Sequence, residues 1–243
     1  TGAIYGVVNM VKRLIDDELP CKLAIVFDAK GPTFRDEWYP DYKATRPPTP
    51  QDLSSQFPYL VDVLEALGCC VLVIDGVEAD DVIATLSKQG CEQGMEVLIS
   101  TGDKDMAQLV NDQVNLINTM SQTRLDPNGV VDKFGVAAHQ IVDYLTLVGD
   151  KVDNVPGVDK CGPKTAVKWL TQYHTLDAII EHADDIGGKI GENLRATLDA
   201  LPLSKRLVTL KYDVALPVNI EAMSITPPDA NALETLYQTL EFK

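Results

Sequence analysis

The chain has 243 residues and carries 21 Lys and Arg against 36 Asp and Glu, a formal net charge of −15. Its 45% hydrophobic residues suffice for one large core or two small ones, which excludes disorder as a description of the whole. No run reaches the roughly 18 uncharged apolar residues of a membrane helix, and Ala3–Val11 lacks the basic stretch that opens a leader peptide, so the reading is a soluble, cytoplasmic protein.

In chain order, short β-branched runs alternate with segments of helical period, the pattern of a parallel sheet with crossover helices. Strands are predicted at Leu23–Phe27, Cys70–Ile74 and Val97–Ser100. Between the first two, Trp38–Pro50 mixes prolines with basic and aromatic residues and reads as a surface excursion. A helix follows through Leu53, Phe57, Leu60, Leu64 and Leu67, with a kink or restart at Pro58 and a stop at Gly68. Further helices are predicted to begin at Asp81–Leu86 and Met106–Val110. Beyond about Phe134 helices dominate: Ala138–Leu147, Lys164–Leu170, Leu176–Glu181, Glu192–Leu201 and Ala230–Leu240. The fold class is therefore α/β, a mostly parallel sheet flanked by helices over residues 1–135, followed by a helical portion over 136–243.

Cys21, Cys69, Cys70, Cys91 and Cys161 show no C-x-x-C spacing and read as free thiols in a reducing compartment. His139, His174 and His182 lie far from any Cys cluster, which is not the spacing of a zinc site.

The acids fall where strands end. Asp28 closes the first strand, Glu78, Asp80 and Asp81 follow the second, and Asp103 and Asp105 follow the third; Asp150 and Asp153 come later. In open parallel sheets ligands bind beyond the carboxyl ends of the strands. Each acid alone is also explained as a helix cap or first-turn residue. Together they demand more, because two carboxylates about 4 Å apart repel by about 4 kcal/mol at an effective dielectric near 20. An all-oxygen set selects Mg²⁺ or Mn²⁺ over zinc, and two groups of acids suggest two ions, the arrangement that hydrolyses phosphodiesters. A second constellation, Asn154–Ala166, is a glycine-punctuated turn opening onto a helix, either an ordinary helix–turn–helix corner or a phosphate cradle; Lys160, Lys164 and Lys168 add charge to it.

Five motifs occur in order: Phe27-Asp28-Ala29, Tyr42–Pro48, Gly76–Asp81, Ser100–Asp105 and Gly149-Asp150-x-x-Asp153-Asn154-x-Pro156-Gly157-Val158. Across essentially the whole chain they resemble the 5′ nuclease (flap endonuclease) superfamily, and among its members the 5′→3′ exonuclease domains at the N-terminus of bacterial DNA polymerases I. The resemblance implies a PIN/resolvase-like sheet and a helix-three-turn-helix subdomain. It implies one ion on Glu78 and Asp80 with Asp28 and Asp81 more loosely engaged, and another on Asp103, Asp105, Asp150 and Asp153. Lys43 and Arg46 are similar to the basic residues that grip the scissile phosphate and the threaded 5′ strand, and with Asp81 they make up the catalytic set. Tyr42 either stacks on a base or packs. Duplex DNA is implied at Gly157, Lys160, Gly162, Lys164, Thr165 and Lys168, with a K⁺ ion on the turn's carbonyls.

Two departures stand out. Lys160-Cys161 occupies turn positions where relatives often have Gly, and the family's first strand, with its metal-binding Asp, does not precede Thr1. The expectation is a piece of a longer polypeptide, ending at a domain boundary near Leu240–Lys243 and weakly active or inactive by itself. The net charge is answered locally: two divalent ions bring −15 to −11, and Lys43, Arg46, Lys160, Lys164, Lys168, Lys205, Arg206 and Lys211 are expected on the DNA-facing side. The function so read is a metal-dependent, monomeric 5′ nuclease acting on flaps and junctions in primer removal and repair, in a bacterial, nucleoid-associated setting and joined to a polymerase portion. The alternatives are a DNA-structure-binding module with an incomplete site, and a phosphatase or RNase on a similar sheet.

Overall fold

The computed structural model describes residues 2–240. Thr1 and Glu241–Lys243, including most of the expected terminal boundary, lie outside the described residues. In chain order the elements are α1 (Gly2–Glu18), β1 (Ala24–Asp28), α2 (Phe34–Trp38), α3 (Gln51–Ser54), α4 (Phe57–Ala66), β2 (Cys70–Ile74), α5 (Ala79–Glu92), β3 (Val97–Ser100), β4 (Val114–Asn118), β5 (Thr123–Leu125), α6 (Pro127–Phe134), α7 (Ile141–Val148), α8 (Pro163–Tyr173), α9 (Leu176–Glu181), α10 (Gly188–Thr197), α11 (Leu201–Val208) and α12 (Ala230–Thr239). Short 3₁₀ turns occupy Asp105–Leu109, Ala138–Gln140 and Ile220–Met223. No described helix is long and apolar enough to cross a membrane.

The chain packs as two compact units. One comprises Thr1–Gly31, Pro47–Val82 and Asp213–Lys243; the other comprises Pro32–Arg46 and Ile83–Tyr212. This partition differs from a single cut near residue 135. The single expected sheet is also replaced by two small ones: β1 runs parallel to β2, with Asp28 opposite Ile74, while β3 runs parallel to β4 and β4 antiparallel to β5. Parallel pairing of β1 and β2 brings their carboxyl ends level, so acids after each strand emerge on one rim.

In the first unit, Ile4, Val8 and Val11 recur at helical spacing on α1 and bury against Leu60, Val63 and Leu64 of α4 and Leu233 of α12. Pro58 is a restart: α3 stops at Ser54 and α4 begins at Phe57, with the proline in its first turn, where its missing N–H costs nothing. Gly68, at φ 85°, ends the helical run, and a Cβ there would sit 1.9 Å from the Thr226 carbonyl, so only glycine fits. The C-terminal segment is bound into this unit by Leu23 N–H to Met223 O (2.8 Å) and Asp229 N–H to Ala66 O (2.8 Å).

In the second unit, Met106, Ile141, Leu145, Leu147, Leu170, Leu176, Ile179, Leu194 and Leu201 are the largest fully buried side chains of a continuous apolar core. Arg35 of α2 is enclosed beside it, 1% exposed, and donates from Nε to Leu207 O (2.8 Å) and from a terminal nitrogen to Thr209 O (3.0 Å). Those carbonyls end α11, where a cation meets the negative end of the helix dipole. Arg35→Met keeps the apolar stem and orphans both carbonyls; the expected outcome is a loss of roughly 2–4 kcal/mol in urea-unfolding free energy with little change in far-ultraviolet circular dichroism.

Candidate metal and nucleic-acid site

In the first unit, Asp28 stands at the exposed end of β1 and its Oδ1 accepts from Ala79 N–H at 2.8 Å. Asp81 is fully buried, and its Oδ2 accepts from Glu78 N–H at 3.2 Å. Both carboxylates therefore satisfy the free N–H groups at the start of α5, the capping role the sequence left open beside metal binding. Glu78 is buried at 8% exposure and Asp80 is half-buried.

The second unit gathers Asp103, Asp105, Asp150 and Asp153. After β3, Asp103 N–H bonds Thr101 Oγ1 (3.0 Å) and Asp105 N–H bonds Asp103 Oδ1 (2.9 Å), which turns the chain sharply into the 3₁₀ segment and sets the two acids side by side. Asp150 and Val155 exchange backbone bonds (2.9 and 2.7 Å), closing a loop whose Asp150 Oδ1 accepts from Val152 N–H (2.7 Å) and Asp153 N–H (3.1 Å).

Three cations answer these acids. Lys104 Nζ lies 2.6 Å from Asp150 Oδ2. Arg46 pairs with Asp153 through Nε (3.0 Å) and a terminal nitrogen, and Lys43 Nζ stands 3.8 Å from Asp153. Lys43 N–H also donates to Asp153 O (2.9 Å), and Asn154 Nδ2 to Asp41 O (2.8 Å), so the 41–46 turn is stitched to the 153–154 loop.

Asp105 is the acid this arrangement serves least. Its Oδ1 is buried without a hydrogen-bond partner. Burial first, then the charge of Asp103, with smaller contributions from Asp150 and Asp153, push its carboxyl up to about 7, against relief from Lys104. Burial also opposes the charge on Asp150, but the Lys104 bond and the N–H groups of Asp153 and Val152 outweigh it and hold that carboxyl below its ordinary value. Lys104 is raised in turn: burial works against its charge, and the bond to Asp150 more than compensates.

Among the described residues no three His, Cys, Asp or Glu side chains stand close enough together to hold a metal ion. Asp28, Asp81 and Asp103 are turned onto backbone N–H groups, Asp150 onto N–H groups and Lys104, and Asp153 onto Arg46 and Lys43. An open groove of about 620 Å³ between α4 and α12, lined by Asp62, Glu65 and Asp229, contains none of the eight acids expected at the metal site.

One expectation needs correcting. Tyr42 is 6% exposed and belongs to the core of its unit, so it packs and does not stack on a base. Lys205 pairs with Asp143 (3.0 Å) and reaches Asp177 at 3.9 Å. Lys160 takes the left-handed conformation (φ 60°) that glycine would adopt, and Cys161 is buried, its thiol pushed up to about 12 by that burial. Gly149 and Gly157 pass so close that a Cβ on Gly157 would lie 2.5 Å from Gly149 N. Pro156 O accepts from Ser204 Oγ (2.6 Å), and Asp159 O from Asn193 Nδ2 (2.8 Å), fixing the turn to α11 and α10. Gly162 opens α8, Thr165 is half-buried, and Lys160, Lys164 and Lys168 are exposed.

In chain order, an α/β portion with acids at its strand ends is followed by helices around a glycine turn. Residues 1–135 match the family described as 5′-3′ exonuclease, N-terminal resolvase-like domain, and residues 136–231 match 5′-3′ exonuclease, C-terminal SAM fold. The chain belongs to the 5′-3′ exonuclease family. It is 46% identical to the DNA polymerase I of Pseudomonas aeruginosa over its whole length, which covers 28% of that protein. It is 41% identical to the 5′-3′ exonuclease of Aquifex aeolicus, covering all of this chain and 83% of that one. The chain thus spans under a third of the DNA polymerase I it matches. Among solved structures, the T5 D15 protein co-crystallised with metal ions shares the fold at a TM-score of 0.75 and 23% identity, over 98% of this chain and 91% of that one.

Asp105 generates a pH test. A carboxyl raised from 3.8 to about 7 contributes stability that is full below about pH 4 and is lost as pH rises through 7. The chelated protein is expected to lose on the order of 1.4 kcal/mol per pH unit across that window, and Asp105→Asn to flatten the slope, read from urea midpoints between pH 5 and 8. Asp150, lowered, acts only below its ordinary value, outside this window.

Proposed function

We propose that the chain is a divalent-metal-dependent, structure-specific 5′ nuclease that hydrolyses DNA phosphodiesters at 5′ flaps and junctions, with Mg²⁺ or Mn²⁺ as its ions. The observation that carries the reading is the buried Oδ1 of Asp105, which has no hydrogen-bond partner while its carboxyl feels the charges of Asp103, Asp150 and Asp153, a hard-oxygen set short of positive charge. Those four would hold one ion, and Glu78 and Asp80, with Asp28 and Asp81, the other. When bound, the ions supply charge to the phosphate oxygens and acidify water.

The chain's own residues do the rest. Lys43 and Arg46 bind the phosphate next to the cut, Arg46 as a fork that suits two phosphate oxygens. Water adds to phosphorus as the P–O3′ bond breaks, leaving a 5′-phosphate and a 3′-hydroxyl. The turn from Gly157 to Lys168 grips duplex backbone without reading bases, through Lys160, Lys164, Lys168, Thr165 and the N–H groups near Gly162, and its carbonyls take K⁺. In this reading residues 1–135 form the nuclease portion and 136–243 the duplex-binding portion of a bacterial monomer that works beside a polymerase portion in primer removal and repair.

A second reading, a DNA-structure-binding module without catalysis, is favoured by the absence of a three-acid group among the described residues. One assay separates them, using labelled 5′-flap DNA, blunt duplex and a small phosphate ester, each with Mg²⁺ or chelator. The expected result is weak flap cutting that needs Mg²⁺, reduced at least about 100-fold in Asp103→Asn while flap binding in chelator is kept. Binding without cutting by the unsubstituted chain establishes the module; loss of binding in Asp103→Asn makes that carboxylate structural.

A further inference from the structure

The second unit carries an aromatic and guanidinium stack that the carboxylate cluster does not use. Trp38, the last residue of α2, is 37% exposed, against 6% for Tyr42 four residues on. Phe34 backs its ring at 4.7 Å between centroids, and Arg206 of α11, itself exposed, places its guanidinium carbon 4.0 Å from the ring centre. The stack is not needed to fix α2 against α11, because the enclosed Arg35, one turn before Trp38, already bonds the carbonyls of Leu207 and Thr209. What remains at the surface is the uncovered part of a large ring and an exposed guanidinium that extends the stack.

Those are the two groups that recognise unpaired nucleotides: a π face that accepts any base, and a guanidinium that stacks on bases and pairs with phosphate. Bases within a duplex are already stacked and cannot use such a face. The position suits a strand that also meets Lys43 and Arg46. Trp38 precedes Lys43 by five residues, a chain reach of at most roughly 18 Å, so a base on Trp38 lies within a few nucleotides of a phosphate held by that turn. Glu37 is the next side chain along α2 but, at i and i+1, does not share the face.

We infer that Trp38 and Arg206 form a stacking site for an unpaired base of the 5′ strand. The inference rests on the nuclease reading above and names where its single strand is held. The test uses the whole chain in chelator with three DNAs: a duplex with a 5′ tail, the same duplex with an abasic tail, and a blunt duplex. The chain has two tryptophans and Trp169 is 3% exposed, so quencher-accessible emission reports Trp38.

The base-bearing tail is expected to protect Trp38 from acrylamide and to bind about tenfold more tightly than the abasic tail. Trp38→Leu is expected to erase that preference, and Trp38→Phe to keep most of it. Equal affinity for base-bearing and abasic tails, or unchanged quenching, overturns the stacking site without needing any variant. If the chain binds and cuts flaps yet ignores tail bases, only the stacking site fails. If it binds none of the tailed DNAs, the nuclease reading fails with it.

Discussion

Carboxylate crowding is the constraint on which the rest of the second unit depends. Asp103 and Asp105 are forced together by a turn that uses Asp103 itself as an acceptor, and the loop carrying Asp150 and Asp153 acts on the same field. Like charges at such spacing cost several kcal/mol unless something positive joins them. Here Lys104 joins Asp150, and Lys43 and Arg46 join Asp153. Asp105 Oδ1, buried, has no hydrogen-bond partner, and the deficit concentrates on that carboxyl. A carboxylate offers about four lone-pair positions, and the side chains of Arg46, Lys43 and Tyr42 converge on those of Asp153. The placement of the 41–46 turn and the availability of Asp153 to any other cation are therefore one equilibrium.

Much of this was legible in the sequence. Cys70–Ile74 and Val97–Ser100 are continuous apolar runs of strand length bounded by turn residues, and the structure reproduces both ends of each. Leu176–Glu181 is likewise recovered whole, its Thr175 capping the Ala178 N–H. The hairpin β4–β5 escaped because Val114–Asn118 places polar residues inside the run and Thr123–Leu125 is too short to show a period. The helix expected over Glu192–Leu201 is two helices. Nothing like Gly marks the break after Thr197, and the available signal was Pro202 in the first turn of α11. Met106–Val110 tightened into a 3₁₀ turn, where the Asp103 to Asp105 bond leaves too little chain for a regular α-helical start.

Of the site, the order of the acids along the chain was legible and their pairing was not. Acids at strand ends can be read from residue order, but that Lys104, between two of them, reaches Asp150 rather than its neighbours depends on packing that spans more than forty residues. Tyr42 illustrates the same limit. An aromatic in a proline-rich, basic loop reads as a surface residue until the loop is seen stitched to Asp153 and Asn154, which turns the ring inward. Trp38, in the same segment, stays outside because Arg35, one turn earlier, takes the inward position. On a short helix residues three apart lie close to one face, so what sends Arg35 in and leaves Trp38 at the rim is the pair of carbonyls ending α11.

Net charge is a poor guide to such a protein because its charges are sorted. Eight of the 36 acids lie at strand ends and in the Asp150 loop, where several hold backbone N–H groups and basic side chains. The exposed cations Lys160, Lys164 and Lys168 sit on one turn and the helix it opens, with no described ion pair to an acid. Lys160 shows how firmly that turn is specified. A non-glycine residue in the left-handed region costs roughly 1–2 kcal/mol, and the chain accepts it where Ser204 and Asn193 hold the flanking carbonyls. At a Debye length of about 8–10 Å, a phosphate approaching this turn senses those three lysines and the neighbouring Asp159 more than the acids beyond them. The turn can therefore attract an anion on the surface of a polypeptide whose formal charge is −15.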